Sequence, residues 1–390
     1  MKKIWYINPN RLPTEEAHGY QIMKMGEAFT RNGWQVNLVV PQRKNPITED
    51  AFAYYGLEKS FNIFYLPVVD WHSYRIFKNL FLSRIAHFLV LATFLKAAGR
   101  LAREKIDPEK DIIYTRSHWL ACFFRKYPNL IYEIHTISRL LYFYKTPWLA
   151  PRLLVTITQQ LKNILVSQGL PAEKILVAPD AVDLAKFNNL PDKEQCRRKL
   201  GLPLARPIVG YIGRFLVNVN QEKGISNLIK AVAALGEIGQ QQPVLLAVGG
   251  PAQAIPAYRE LALKEGLSPD QIIFHDRVPN NEVPFWIRAC DVVTIPWPWT
   301  EFSAYYTSPL KLFEYMAAGV PIVASDLPAL REIISEKSAV LVRPGEPRAL
   351  AVGIERVLKN PEFTATIALE AKKDVKQYTW QKRVEKIIYG

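Results

Sequence analysis

Short apolar runs alternate with longer segments of helical periodicity along the chain. The runs are rich in Val, Ile and Tyr and lack the alternation of a half-exposed strand, so we predict parallel strands covered on both faces. Helices are predicted near 19–32 and 77–104. The predicted strands of the first half are KIWYIN (3–8), QVNLVV (35–40), NIFYLP (62–67), DIIYT (111–115), LIYEI (130–134), LLVTIT (153–158) and KILVAP (174–179).

The same alternation restarts after a polar linker near 185–206. The sequence therefore predicts two doubly wound α/β domains, at 1–185 and 186–375, with a C-terminal helix at about 376–390 as a candidate to pack back on the first. The strands of the second half are PIVGYIG (207–213), PVLLAVG (243–249), QIIF (271–274), DVVTIP (291–296), PIVA (321–324) and AVLV (339–342).

Ligands of such sheets bind beyond the carboxyl ends of the strands, and two facing sheets would leave their deepest cleft between the domains. The glycine pattern of a dinucleotide-binding turn follows the first strand of neither half, and the P-loop pattern is absent from the sequence. The fold prediction alone therefore names no reaction.

The segment SPLKLFEYMAAGVPIVASDLPALREII combines a helix, a turn and a strand. Ser308 is predicted to cap the helix, with Pro309 in its first turn and Gly319 at its end. A buried strand at 322–324 follows, and Pro328 opens another helix.

Glu314 is the carboxylate within this apolar helix, on the face formed by Leu310, Phe313 and Ala317. A buried carboxylate is costly unless donors surround it. Two partners stay open at this point, an internal Arg or Lys and a bound ligand.

Cations and free amides follow several predicted strands of the second half. Arg214 offers a fork of donors and Lys223 a mobile charge just before a helix, and together they suit a diphosphate. The alternative is two loop cations in solvent. The helix start at Ser308–Leu310 adds further amides, and the loop holding Arg277 and Val278 can offer backbone groups to the edge of a base.

Composition narrows the class of protein. The 390 residues are 49% hydrophobic and carry a net charge of +14, with three scattered cysteines that suggest a reducing compartment and neither a disulfide framework nor a metal site. The amino-terminal apolar run is too short for a signal peptide, and the run at 88–95 is below the roughly 20 residues of a membrane span. We expect a cytoplasmic protein, either free or peripheral at the inner face of the membrane.

Several ordered motifs resemble those of the family-4 glycosyltransferases of the GT-B fold. In the second half these are GRF…EKGI, FHDRV…ACDVVTIP and the segment SPLKLFEYMAAGVPIVASDLPALREII. In the first half they are PTEEAHGYQIMKMGEAFTRNGWQVNLVVP, YEIHT and KILVAPDAVDLAKF. The resemblance implies two facing Rossmann-like domains with an interdomain cleft, the first on the acceptor side and the second binding the nucleotide sugar.

The resemblance also implies roles for individual residues of the second half. Arg214 and Lys223 match the pair that holds the donor diphosphate, and Glu314 matches the glutamate that accepts both ribose hydroxyls. Arg277 and Val278 match positions where the base is bound.

In the first half, Gly19 stands where a glycine loop approaches the phosphates, with His18 in place of the usual glycine. His135 matches a histidine near the donor sugar, and His118 is a weaker candidate that a packed or surface role explains better.

Tyr306 departs from the family pattern. It occupies the position of the first of two glutamates, the one that contacts the transferred sugar. A phenol carries no charge at neutral pH, which puts the donor-sugar contact and the activity in question. Glu301 is too distant for that role unless the loop follows a different path.

The implied activity is that of a hexosyltransferase-type, retaining enzyme of glycan or glycolipid synthesis, with a nucleotide diphosphate sugar as donor and without a metal or other cofactor. Arg214, Lys223 and helix amides would stabilise the leaving diphosphate. Two rivals stay open, a sugar-nucleotide epimerase or phosphorylase and a non-catalytic GT-B protein that binds nucleotide sugars.

The first half is the more basic, with 25 Lys/Arg against 15 Asp/Glu in residues 1–190. The segment 72–105 holds seven cations and one acidic residue among Phe and Leu. It predicts either contact with an anionic membrane surface, which would favour a lipid-linked or glycan acceptor, or an ordinary helix covering the sheet. Without a paired basic and aromatic motif, we expect no nucleic-acid partner.

Overall fold

The computed structural model describes residues 2–71, 80–137, 146–218, 221–235 and 242–390. It divides the chain into two compact units, Met1–Pro179 with Trp380–Gly390, and Asp180–Thr379. The boundary lies between Pro179 and Asp180, where the sequence predicted 185–186. Each unit is a parallel sheet with helices, as the apolar runs predicted.

The described part of the first unit holds a parallel sheet of seven strands in the order β3-β2-β1-β4-β5-β6-β7. Its central strands are almost completely buried, which explains their continuous apolar sequences. The strands are β1 (Lys3–Ile7), β2 (Gln35–Gln42), β3 (Asn62–Pro67), β4 (Ile112–Thr115), β5 (Leu130–Ile134), β6 (Leu153–Thr156) and β7 (Ile175–Val177).

The helices of this unit include one from the far end of the sequence. The helix α16 packs on α1, with Trp380, Val384 and Ile387 buried. The helices are α1 (Ala17–Arg31), α2 (Ala51–Tyr55), α3 (Leu80–Lys105), α4 (His118–Phe123), α5 (Thr146–Leu149), α6 (Gln159–Ser167) and α16 (Trp380–Tyr389), with a short 3₁₀ helix at Ala172–Lys174.

The described part of the second unit holds a parallel sheet of six strands in the order β12-β11-β8-β13-β14-β15, and a separate two-stranded hairpin, β9 with β10. The strands are β8 (Ile208–Ile212), β9 (Leu216–Asn218), β10 (Gln221–Glu222), β11 (Val244–Val248), β12 (Ile272–His275), β13 (Val292–Ile295), β14 (Ile322–Ser325) and β15 (Val340–Val342).

Helices cover this sheet on both faces, because the buried residues of β8 and β11 belong to two separate core clusters. The helices are α7 (Lys193–Leu200), α8 (Ile225–Ala233), α9 (Ile255–Lys264), α10 (Val283–Arg288), α11 (Glu301–Tyr305), α12 (Leu310–Ala318), α13 (Pro328–Arg331), α14 (Pro347–Lys359) and α15 (Pro361–Asp374), with 3₁₀ helices at Leu184–Phe187, Ala252–Ala254, Pro269–Gln271 and Val375–Gln377.

The α3 helix is the one among the described residues that is long and apolar enough to cross a membrane, by length and composition alone, over Ser83–Lys105. A core helix of a globular protein passes the same test. Here Phe94, Ala98 and Ala102 are completely buried in a cluster with residues of β1 and β2. Residues 72–79 of the predicted basic segment lie outside the described residues.

Candidate functional site

The carboxyl edge of the second sheet gathers several predicted site residues. The central strand β8 ends at Ile212, and Gly213 and Arg214 follow it directly. Lys223 lies next to Gly224, the left-handed residue before α8. Two strands along the sheet, Arg277 and Val278 follow β12, where Arg277 is exposed and Val278 packs against the core.

Lys223 lines a small, open pocket beyond the end of β13. Its Nζ lies 5.4 Å from the centroid of the Trp297 ring. The neighbouring Gly224 is required there, since a Cβ would lie 1.9 Å from the carbonyl oxygen of Pro296. The loop before α8 is therefore pressed against the residues that follow β13. The other pocket residues include Glu222, Thr300, Phe302 and Ser303.

The start of α12 differs from the prediction. Ser308 does not cap the helix, because its hydroxyl accepts a hydrogen bond from the Asp180 amide at 2.8 Å. Pro309 is the N-cap, with an extended backbone, and the helix begins at Leu310. The predicted helix end at Gly319 is confirmed, with φ of 64°. The amides of the first turn of α12 have no side-chain cap.

Glu314 lies one turn into α12, beside the fully buried Phe313. Burial raises the pKa of its carboxyl group, and the charges of Lys186 and Lys311 partly offset that rise. Among the described residues, Glu314 has neither a hydrogen bond nor an ion pair within 4.0 Å. Of the two partners considered for Glu314, an internal salt bridge is therefore not found among the described residues. The carboxylate remains able to accept hydrogen bonds from a ligand.

Tyr306 directly follows the short helix α11. Its hydroxyl donates a hydrogen bond to Oε1 of Glu301 at 2.9 Å. The α11 helix therefore brings Glu301 next to Tyr306. This is the different chain path that Glu301 required to approach the position of the family glutamate. A carboxylate stands beside the tyrosine that replaces the family glutamate.

Lys311 was not identified from the sequence. Its side chain is buried, and its Nζ lies 3.6 Å from the centroid of the Tyr211 ring. Burial, with the charge of Lys223 added, holds the pKa of Lys311 well below its ordinary value, against the opposite effect of Glu314. The available signal was a lysine within an otherwise apolar helical segment.

In the first unit, His135 follows β5 and is held through both ring nitrogens. The distances are 2.6 Å from Nε2 to Oε1 of Glu133 and 3.0 Å from Nδ1 to Nη2 of Arg116. A guanidinium only donates, so Nδ1 accepts and Nε2 carries the proton. Burial and Arg116 lower the pKa of His135 to about 4. The ring is therefore neutral at neutral pH.

The partner of His135 is a fully buried carboxylate that sequence reasoning also missed. Glu133 accepts hydrogen bonds from Tyr114 and, at 2.8 Å, from Gln21. Nη2 of Arg383, on α16, lies 3.1 Å from Oε2. Burial raises the pKa of Glu133, but Arg383, His135 and Arg116 outweigh it and hold the pKa well below the ordinary value. The only sequence signal was a charge inside the apolar run LIYEI.

Gly19 lies in the first turn of α1, and its lack of a side chain has a packing reason. A Cβ there would lie 2.0 Å from the hydroxyl oxygen of Tyr55, which is hydrogen-bonded to both backbone groups of Thr14. Next to it, burial and Arg116 lower the pKa of His18 to about 4. His18 and His135 thus share Arg116 as a neighbour.

His118 takes the packed role that the sequence favoured. Its ring contacts the rings of Trp119, Tyr132 and Trp148, with centroid distances of 5.8, 6.4 and 5.8 Å. Within the described ranges, no group of three or more His, Cys, Asp and Glu side chains is placed to hold a metal ion.

Two family models match the two halves of the chain. The model described as "Glycosyltransferase Family 4" matches residues 19–186, and the model described as "Glycosyl transferases group 1" matches residues 206–360. The two matches follow one another along the chain and leave only the linker between them.

Two curated relatives are similar over part of the sequence. The 2-deoxystreptamine glucosyltransferase of Streptomyces kanamyceticus is 29% identical over 53% of this chain and 51% of its own length. The D-inositol 3-phosphate glycosyltransferase of Corynebacterium urealyticum is 28% identical over 57% of this chain and 52% of its own length. The chain thus spans about half the length of the curated relatives it matches.

Solved structures match over nearly the whole chain. The sucrose-phosphate synthase of Thermosynechococcus elongatus has a TM-score of 0.74 at 20% identity, covering 99% of this chain and 97% of its own. Anabaena HepE in complex with UDP-glucose has a TM-score of 0.68 at 19% identity, covering 100% and 99%. WaaG, a glycosyltransferase involved in lipopolysaccharide biosynthesis, has a TM-score of 0.67 at 14% identity, covering 99% and 100%. These likenesses show a shared fold, which confirms the predicted GT-B class.

Proposed function

Because the chain belongs to the family-4 glycosyltransferases, we propose that it moves a sugar from a nucleoside diphosphate sugar to an acceptor hydroxyl, with retention of configuration. The observation that supports this most is that Arg214, Lys223 and Glu314 lie at the carboxyl edge of one sheet. The Glu314 carboxylate makes no hydrogen bond among the described residues, so it can accept hydrogen bonds from a ligand. In this proposal the cations and the α12 amides hold the diphosphate, and Glu314 accepts hydrogen bonds from the ribose.

The chemistry asked of these residues is stabilisation of a leaving group. As the glycosidic bond breaks, negative charge develops on the diphosphate, and preorganised cations and amides lower the energy of that state. Arg214 can bind phosphate oxygens bidentately, whereas Lys223 acts as a point charge. The leaving phosphate itself is the proposed acceptor of the hydroxyl proton, so that a protein base is not required.

His135 is proposed as a neighbour of the donor sugar. Its Nε2–H already donates to Glu133, and its Nδ1 accepts from Arg116. Acting as a general base would require it to give up one of those bonds. We therefore propose that the neutral His135 ring lies beside the donor sugar and does not act as a general base. Arg277 and Val278 are proposed to line the position of the nucleotide base.

A thermal-shift screen of nucleotide sugars tests the proposal. UDP-glucose comes first, because Anabaena HepE was solved with that compound. A ligand at 100 times its dissociation constant stabilises the fold by about 2.7 kcal/mol. We expect at least one diphosphate sugar to raise the melting temperature more than the matching monophosphate. If nucleotides and nucleotide sugars leave the melting temperature unchanged at millimolar concentration, the transferase proposal fails.

Product analysis separates the transferase from its rivals. Release of the nucleoside diphosphate with a glycosylated acceptor supports transfer, whereas interconversion of the donor supports an epimerase. Binding without turnover supports a non-catalytic protein, the alternative raised by Tyr306.

Replacing Arg214 or Lys223 by Ala is expected to weaken diphosphate nucleotides about tenfold or more, the effect of losing a charged hydrogen bond. The matching nucleoside should bind almost unchanged, because it lacks the charge that these residues hold. Calorimetry with UDP and uridine, or with the pair identified in the screen, measures both. Equal losses for the two ligands would show that the cations serve the fold.

We also propose an anionic membrane surface as a partner, which would favour a lipid-linked or glycan acceptor. The exposed side of α3 combines the apolar Ile85 and Phe88 with the cations Arg84, Lys96 and Arg100. Phe88 is 64% exposed, although it begins the apolar run at 88–95. A face of this composition suits the interface of an anionic bilayer.

Sedimentation with vesicles tests this partner. We expect binding to vesicles containing phosphatidylglycerol, loss of that binding on vesicles of phosphatidylcholine, and a reduction with Arg84→Glu or Lys96→Glu. Each Lys or Arg close to an anionic membrane surface contributes about 1 kcal/mol to binding. Binding that is equal on both vesicles would contradict the electrostatic part of the proposal.

A further inference from the structure

Lys311, the second residue of α12, holds a buried amine without a hydrogen-bond partner. The residue is 7% exposed, and among the described residues its Nζ makes no hydrogen bond. Its close neighbour is the ring of Tyr211, with Nζ 3.6 Å from the centroid. A ring face attracts an ammonium but does not replace the hydrogen bonds that the ammonium makes in water. The charged form is therefore poorly compensated in the free protein.

The space for this amine comes from a glycine at the end of the central strand. Gly213 follows β8 with φ of 142°. A Cβ at Gly213 would lie 2.6 Å from Nζ and 2.7 Å from Cε of Lys311. The amine thus fills the position that a side chain would take, immediately before Arg214 in the chain. Lys311, the second residue of α12, therefore lies at the edge of the sheet where the diphosphate is proposed to bind.

The charged groups that act on this amine come from two elements. Lys223, from the loop before α8, disfavours the ammonium, and Glu314, one turn further along α12, favours it. Lys186 in turn compensates Glu314. The phenols of Tyr211 and Tyr315 are neutral, because burial raises the pKa of both well above the ordinary value. Burial and Lys223 outweigh Glu314, so the pKa of Lys311 is lowered.

We propose that Lys311 binds the donor diphosphate, and that its neutral amine takes up one proton from solvent when the diphosphate enters. This inference rests on the proposed function, since it assigns a third cation to the same site. The N–H bond forms on the lone pair of Nζ, and water or buffer supplies the proton. Before binding, the neutral amine avoids repulsion with Lys223. After binding, the phosphate oxygens compensate both cations and accept hydrogen bonds from the new ammonium.

Calorimetry of UDP binding to the full chain, in three buffers of different ionisation enthalpy, counts the protons. The measurement is made at about pH 8, where the nucleotide phosphates are already ionised because their second pKa is about 6. The slope of the binding enthalpy against the ionisation enthalpy gives the number of protons taken up. We expect the wild type to take up about one proton more than Lys311→Met. Its affinity, relative to that variant, should fall up to about tenfold per unit rise in pH.

Lys230→Met is the matched control, because Lys230 is exposed on α8 of the same unit. It should take up as many protons as the wild type. If Lys311→Met does not fold, Lys311→Gln replaces it, and the uptake by the wild type is measured directly with a pH indicator.

Two results overturn the inference alone: binding by the wild type without net proton uptake, or equal uptake by the wild type and the Lys311 variant. If the wild type binds neither UDP nor GDP nor ADP, the proposed function fails and this inference fails with it.

Discussion

Arg383→Met is expected to destabilise the first unit by about 3–5 kcal/mol, the cost of leaving a buried charge without its partner. Arg383 is 5% exposed, and its Nη2 lies 3.1 Å from Glu133, which is completely buried. The same guanidinium donates to the carbonyl oxygen of Pro179 at 2.8 Å and to that of Ala178 at 3.2 Å. Methionine keeps the apolar stem and removes these donors. Urea unfolding, followed at several wavelengths, measures the loss.

The control for this change lies on the same helix. Lys386 is exposed on α16, so Lys386→Met should change the free energy of unfolding by no more than about 0.5 kcal/mol. The double variant Glu133→Gln with Arg383→Met should lose less than the sum of the two single variants, because it leaves no unpaired carboxylate. A loss below about 1 kcal/mol for Arg383→Met would show that the remaining partners of Glu133 compensate its charge without Arg383.

Glu314→Gln is expected to weaken the binding of UDP, or of the diphosphate found in the screen, by about 1–3 kcal/mol. The carboxylate has no hydrogen-bond partner among the described residues, so we expect the variant to keep its fold. Uridine should lose as much affinity as UDP, since the two share the ribose. Calorimetry of the variant with both ligands measures the two losses.

A deoxynucleotide sharpens this test. If Glu314 binds the ribose hydroxyls, 2′-deoxy-UDP should bind the wild type more weakly and should lose less than UDP on Glu314→Gln. Glu260→Gln, at an exposed position of α9, is the matched control and should leave both affinities unchanged. A well-folded Glu314→Gln variant with wild-type affinity would show that the carboxylate does not contact the nucleotide.

The strands were predictable because a fully buried strand appears in the sequence as a run of consecutive apolar residues. A parallel strand covered on both faces must be apolar along its length, and runs such as IVGYI and VLLAV satisfy this without reference to any distant residue. The β9–β10 hairpin was missed for the opposite reason. Its strands at Leu216–Asn218 and Gln221–Glu222 are too short and mixed to form a pattern.

Sequence reasoning proposed site residues only where one short segment contains the informative pattern. Arg214, Lys223 and Glu314 were proposed from ordered segments, because Arg214 follows a predicted strand, Lys223 precedes a predicted helix and Glu314 is the carboxylate within an apolar helix. The pairing of Glu133 with Arg383 joins positions far apart in sequence, and no local pattern contains it. Ser308 was predicted to cap α12 from its local sequence, and this prediction was wrong. Its hydroxyl instead accepts a hydrogen bond from the backbone amide of Asp180, which is distant in sequence.

The position of α16 sets the order in which the two units can be completed during synthesis. Residues 180–379 form the second unit from one continuous stretch, and they leave the ribosome before Trp380–Gly390. The second unit can therefore fold while the first still lacks Trp380 and the guanidinium of Arg383. Until then the Glu133 carboxylate has Arg116 as its nearby cation, with Nε 3.6 Å from Oε1. Loss of residues 380–390 would thus leave every residue of the second unit in place and would remove from the first the guanidinium that contacts Glu133.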